Sequence, residues 1–179
     1  MRYGYSMALL GSMLFLSAVS ATPVESGPPE PDCRETTTIF VVRHADRAGK
    51  ADSLSAAGVR RAEALAHLGE HAGIGAIYHS DTRRARDTAA PLADRIGVRP
   101  VELPGADVEG LASQLLTRQC GKAVLVVGHS NTVGKILAAL GGPDVPDLDE
   151  AEYDRLFVLS VRKGTPVTLV RLQYGEPSP

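Results

Sequence analysis

Two stretches of the chain are apolar or β-branched at every position: residues 38–42 (Thr-Ile-Phe-Val-Val) and residues 123–127 (Ala-Val-Leu-Val-Val). An unbroken run of this kind, without the polar alternation of a half-exposed strand, is the pattern of a strand covered on both faces in a parallel sheet. Around these runs the apolar period changes to that of helices. Ser55 is placed to cap a helix from Ala56 to His71. A second helix runs from Asp81 to Ile96 and is closed by Gly97, a third from Asp107 to Arg118, and a fourth from Thr132 to Leu140, closed by Gly141-Gly142. Shorter strands are predicted at 76–79 and 98–103, and residues 156–161 and 167–172 flank a Lys163-Gly164-Thr165-Pro166 turn as a terminal hairpin. Strands alternating with helices predict an α/β fold, a three-layer α/β/α sandwich with a mostly parallel central sheet and helices on both faces.

The first residues follow a different pattern. Arg2 precedes an apolar run from Met7 to Val19, and Val19-Ser20-Ala21 supplies small residues for cleavage. This is the layout of a secretory signal peptide over residues 1–21, and the run is shorter than the roughly 20 apolar residues of a membrane span. A retained anchor is the alternative. Residues 22–37 include four prolines between Thr22 and Asp32 and read as a flexible leader. The expected organisation is therefore a signal at 1–21, a leader at 22–37, one folded domain at 38–175 and a tail at 176–179. The expected location is outside the cytoplasm, periplasmic or secreted, with no stable membrane association once the signal is removed.

Composition narrows the function classes. A length of 179 residues suits a single domain. The 19 basic and 21 acidic residues are scattered and give a net charge of -2, so nothing marks a nucleic-acid partner. Three Phe, five Tyr and no Trp leave little aromatic surface for stacking on bases or sugars. Export permits a disulfide. Cys33 precedes His44 by eleven residues and Cys120 precedes His129 by nine, so adjacent parallel strands would bring both cysteines to the amino-terminal edge of the sheet. A Cys33–Cys120 bridge is predicted.

In open α/β sheets ligands bind at the carboxyl ends of the strands. There the first apolar strand runs into Arg43-His44-Ala45-Asp46-Arg47 and the second into Gly128-His129-Ser130-Asn131-Thr132. A third strand ends at His79-Ser80, before a helix that begins with Asp81-Thr82-Arg83-Arg84-Ala85-Arg86. Guanidinium groups and a helix N-terminus around two histidines form a site for a tetrahedral dianion such as phosphate. Flanking arginines oppose a metal held by His44, His129 and Asp46, and no metal is expected. His67-Leu68-Gly69-Glu70-His71 matches an inverted zinc-protease pattern, but it lies at a ragged helix end and reads as a solvated polar face. Ser130 sits as in a hydrolase nucleophile elbow, yet Thr132 replaces the closing glycine and no histidine follows His129. Ser130 and Asn131 are instead read as helix-capping groups beside the second histidine, within reach of substrate.

These segments resemble the histidine phosphatase (phosphoglycerate mutase-like) superfamily, as a small exported bacterial-type member. Arg43-His44-Ala45-Asp46 resembles its Arg-His-Gly/Ala signature, and Leu54-Ser55, Gly58 and Arg61-Ala62 its Leu-Ser/Thr-x-x-Gly-x-x-Arg/Gln-Ala element. Ser80 to Ala89 resembles its Ser-x-x-x-Arg-Ala-x-x-Thr-Ala helix, Gly128 to Asn131 its second-histidine element, and Tyr153-Asp154 before a strand fits too. The resemblance implies a phosphoglycerate mutase-like fold, no cofactor, and a small phosphorylated substrate. It implies His44 as the nucleophile that takes the phosphoryl group, with Arg43, Arg84 and His129 holding the phosphoryl oxygens. Arg47 is a further candidate contact, while Arg83 and Arg86 are expected to be exposed. Larger members of the family place a glutamate acid after the third strand, a position that Glu102 formally copies. Asp46 is the preferred proton donor because it lies two residues past the nucleophile. The expected activity is that of an exported phosphomonoesterase working through phosphohistidine. A phosphoanion-binding relative with weak catalysis and a mutase-like phosphotransferase are the alternatives.

Overall fold

Parallel pairing of the two apolar strands forms the centre of the molecule. The computed structural model describes residues 34–178, together with Met1. The expected signal and most of the leader, Cys33 included, lie outside the described residues. The chain runs β1 (Thr37–Arg43), α1 (Ala56–Gly69), β2 (Ile74–Ser80), α2 (Arg83–Ile96), β3 (Val101–Leu103), α3 (Val108–Arg118), β4 (Ala123–Gly128), α4 (Ser130–Ala139), β5 (Arg155–Val161) and β6 (Thr168–Gln173). The sheet order is β3-β2-β4-β1-β5-β6. β1 to β4 are mutually parallel, and the β5–β6 hairpin adds the antiparallel edge.

Both faces of the sheet are covered. Val42, Ile77, Leu125 and Val127 pack against Leu65, Ala66, Ala89 and Leu92 of α1 and α2. Ile39, Val41, Val124 and Val126 pack against Leu111 and Leu115 of α3 and Val133 and Leu137 of α4. Adjacent residues such as Val41 and Val42 enter opposite layers, which is why these strands tolerate no polar position.

The departures from expectation are local. β3 begins at Val101 rather than residue 98, because the Val98 N–H closes α2 onto Ala93 O and Pro100 has no N–H for a ladder. Thr82, not Asp81, caps α2, accepting from Ala85 N at 3.4 Å, while Asp81 accepts from Gly105 N. In α4 the N-cap is His129, with its backbone N–H donating to Thr132 Oγ1 at 2.9 Å. Ser130 and Asn131 are therefore the first helical residues and not the capping groups.

The segment after β1 is locked from three sides. Ser55 caps α1 by accepting from Gly58 N, and its own N–H donates to Asp46 O. Arg61, buried on α1, donates to Asp46 Oδ2 at 2.6 Å and to the carbonyls of Tyr174 and Glu176. Residues 176–178 are thus tied down, and Ser178 Oγ also accepts from the N–H groups of Tyr153 and Asp154. Gly58 is required by the close approach of α1, since a Cβ there would collide with Asp46 O. Gly58→Ala is expected to cost about 1–3 kcal/mol, the usual range for overpacking. Thermal unfolding would show it as a lowered Tm, and an unchanged Tm would contradict the close packing.

Candidate active site

Register brings the two histidines together. Arg43 pairs with Gly128 across β1 and β4, so the next residue on each strand is a histidine. The His44 N–H donates to Gly128 O at 2.9 Å, and the imidazole centroids lie 5.3 Å apart. A cleft of about 440 Å³ opens here, lined by Arg43, His44, Arg47, Arg84 and His129, with Ser130, Asn131 and Glu150 completing the wall.

His44 is buried, and its Nδ1 lies 2.9 Å from Ala45 O. A carbonyl only accepts, so Nδ1 carries the proton and Nε2 keeps its lone pair. Burial, and then the positive charges of Arg84 and Arg43, pull its pKa down to about 3 against the opposing bond to Ala45. At neutral pH His44 is therefore an uncharged imidazole with one free nitrogen, the form a nucleophile needs. The peptide beside it is fixed by Thr88, whose Oγ1 accepts from Ala45 N at 2.9 Å and donates to Arg84 O at 2.7 Å.

His129 is set by a similar argument. Arg84 can only donate, and its Nη2 lies 3.3 Å from His129 Nδ1. The proton therefore sits on Nε2 and donates to Ser80 Oγ at 2.7 Å. Ser80 in turn lies 3.2 Å from Thr82 Oγ1, linking the second histidine to the α2 cap. Burial, followed by Arg84, lowers the pKa of His129.

The arginines differ in what they have left to offer. Arg43 Nη1 donates to the carbonyls of Asp149, Glu150 and Glu152 at 2.8, 3.0 and 3.1 Å, and its guanidinium stacks 4.1 Å above the Tyr153 ring. Arg84 Nη1 donates to Asp52 at 2.8 Å, and Asp52 also accepts from the N–H groups of Arg83 and Arg84 at the start of α2. The Nε–H of Arg43 and that of Arg84 are buried with no acceptor in the protein. Unsatisfied buried donors are uncommon and call for a ligand or another explanation. Two of them on the arginines beside His44 suit an anion.

Asp46, expected as the proton donor, is corrected by this geometry. Its carboxylate is turned into the ion pair with Arg61 and does not line the cleft. Glu102 is exposed on the β3 edge, paired through its backbone with His79, and also lies outside the cleft. Arg83 and Arg86 are exposed. His67 and His71 face solvent around Glu70, which is held by Arg95. Among the described residues no cluster of three or more His, Cys, Asp or Glu could hold a metal. Three site residues escaped sequence reasoning: Thr88, present only as a motif letter, and Asp52 and Glu150, which sit in loops without any periodic signal.

Residues 39–107 match the model of the histidine phosphatase superfamily, branch 1. The match spans less than half of the chain and takes in β1 to β3 with the Arg43-His44 strand end and Arg84. Solved structures share its fold. A protein histidine phosphatase, SixA, complexed with tungstate, is 20% identical, with a TM-score of 0.61 over 76% of this chain and 96% of that one. Phosphoglycerate mutase from Plasmodium falciparum is 18% identical, with a TM-score of 0.56 over 80% and 95%. The alpha-ribazole phosphatase from Shigella flexneri is 16% identical, with a TM-score of 0.61 over 76% and 96%. No curated protein matches the chain by sequence. The α/β sandwich is that of the phosphoglycerate mutase-like neighbours.

The lowered pKa of His44 gives a direct check. Because the folded value lies below that of a free imidazole, His44 stays neutral as pH falls through 6.5. The unfolded chain takes up this proton first, so this group's contribution to stability declines between about pH 6.5 and 3. A ¹⁵N NMR titration should find the His44 ring neutral at pH 5; a midpoint near 6.5 would contradict the burial argument.

Proposed function

We propose that this protein is an exported histidine phosphatase that hydrolyses phosphomonoesters through a covalent phosphohistidine on His44. One observation carries the reading: a neutral histidine with a free Nε2 sits between two arginines that each hold a buried, unused Nε–H. Nε2 attacks phosphorus opposite the ester oxygen, the N–P bond forms, and the P–O bond breaks. Water then attacks the phosphohistidine and returns the electron pair to His44. Little covalent work is left to the protein, so positioning and preorganised positive charge dominate. Arg43, Arg84 and His129 surround the transferring oxygens in this reading, with Arg47, Ser130 and Asn131 on the cleft wall as contacts for the small phosphorylated substrate.

Export is proposed from the residue pattern at 1–21, and a Cys33–Cys120 disulfide is proposed with it. Thr37 Oγ1 donates to Gln119 O and accepts from Gly121 N, so the start of the domain is bonded to both neighbours of Cys120. Cys33 lies only four residues before Thr37. Closing this long loop would contribute about 4 kcal/mol in the chain-entropy model.

Mixing the protein with a ³²P-labelled phosphomonoester and quenching in base is expected to trap label on His44. His44→Ala should lose both label and turnover while keeping its fold, and His129→Ala should lose about 10²–10³ in kcat. Label that survives in His44→Ala would refute the nucleophile. A stable label passed to a second hydroxyl instead of water would favour the mutase alternative, and binding without label the non-catalytic one. For the disulfide, intact mass after alkylation without reduction should show no modified thiol; two modified thiols would exclude the bridge.

A further inference from the structure

The proposed reaction leaves one requirement unmet. The ester oxygen departs as an alkoxide unless a proton reaches it, and neither Asp46 nor Glu102 lines the cleft. Among the residues that do, one is a carboxylic acid: Glu150, in the connection between α4 and β5. We infer that Glu150 is the general acid–base of this site, an inference that rests on the phosphatase reading above.

The loop carrying Glu150 is built onto the site. The Glu150 carbonyl and those of Asp149 and Glu152 all accept from Nη1 of Arg43, the residue that precedes the nucleophile. From the other side, Leu148 N donates to Ser130 O, next to the second histidine. The backbone at Glu150 is therefore fixed by both catalytic strand ends. Its side chain is held only lightly: Oε2 lies 3.3 Å from Arg43 Nη2, Oε1 3.4 Å from Ser130 Oγ, and 77% of it is exposed. A carboxyl so exposed and lightly tethered is open to water and can follow a substrate oxygen.

The neighbouring acids are occupied otherwise. Asp52 binds Arg84 and two helix N–H groups, which stabilise its ionised form. Asp81 accepts from Gly105 N, and Glu152 is paired with Arg155. In the first step Glu150 gives its proton to the leaving oxygen as the P–O bond breaks, releasing the alcohol and leaving a carboxylate. In the second it takes a proton from the attacking water as the N–P bond breaks, so phosphate leaves and the carboxyl is restored.

The test varies the leaving group. Alkyl phosphates such as β-glycerophosphate need a proton on departure, whereas p-nitrophenolate leaves unaided. Glu150→Gln keeps an oxygen acceptor for Arg43 and removes the proton. It is expected to lower kcat/KM, which reports the steps up to release of the alcohol, by about 10²-fold or more on β-glycerophosphate and by less than about tenfold on p-nitrophenyl phosphate. Initial labelling of His44 by p-nitrophenyl phosphate should persist. Equal losses of kcat/KM on both esters would make Glu150 a mere anchor of Arg43, and no loss on either would hand the proton to solvent; both overturn the assignment. A wild-type protein that turns over neither ester overturns the phosphatase reading itself, which separates the two failures.

Discussion

Everything at the catalytic end hangs from the register of β1 against β4. Each strand stops at a histidine, and the ladder that pairs Arg43 with Gly128 leaves no freedom in how those histidines meet. A slip of one residue would move Val41 and Val127 to the wrong layers, so the register is enforced by the burial of both faces. The site thus inherits its precision from apolar packing several residues away. The helices then supply what the strand ends lack: Arg84 and Thr88 from α2, and the capped N-terminus of α4 carrying His129.

The electrostatics of the cleft follow from the same burial. A histidine in water would be partly protonated under mildly acid conditions, yet His44 is kept neutral by exclusion of solvent and by the cations around it. The groups that bind the anion are thereby the groups that keep the nucleophile ready. The cost falls on the arginines, two of which hold a buried donor without a partner. Asp52 offsets part of that charge while staying outside the ring of lining residues.

What could be read from the residues divides along sequence distance. The layered fold and the meeting of His44 with His129 were legible because unbroken apolar runs identify buried strands, and because ligands gather at strand ends. Asp46 misled because nearness along the chain was taken for nearness to the cleft. Its partner, Arg61, lies on the buried face of a helix, where an arginine is ordinarily read as solvated. Arg61 is only 4% exposed because two segments far apart in sequence provide its acceptors, and no pattern in a single segment announces that. Glu150 was invisible for the same reason. It is placed by bonds from an arginine 107 residues earlier, in a stretch with no period of its own.

Arg61 also sets an order of assembly. The carbonyls of Tyr174 and Glu176, which share it with Asp46, come after β6 in the chain, whereas the loop they help immobilise follows β1. Chains emerge from the ribosome N-terminus first. Until residues 155–176 arrive, that guanidinium lacks two acceptors, β1 has no β5 neighbour, and the nucleophile loop is unanchored on that side. A chain ending after Gln173 would retain every residue of the cleft and still leave a buried cation underserved beneath it. The two segments that meet at Arg61 are far apart in sequence, so competence at the cleft waits until the later of them has been made.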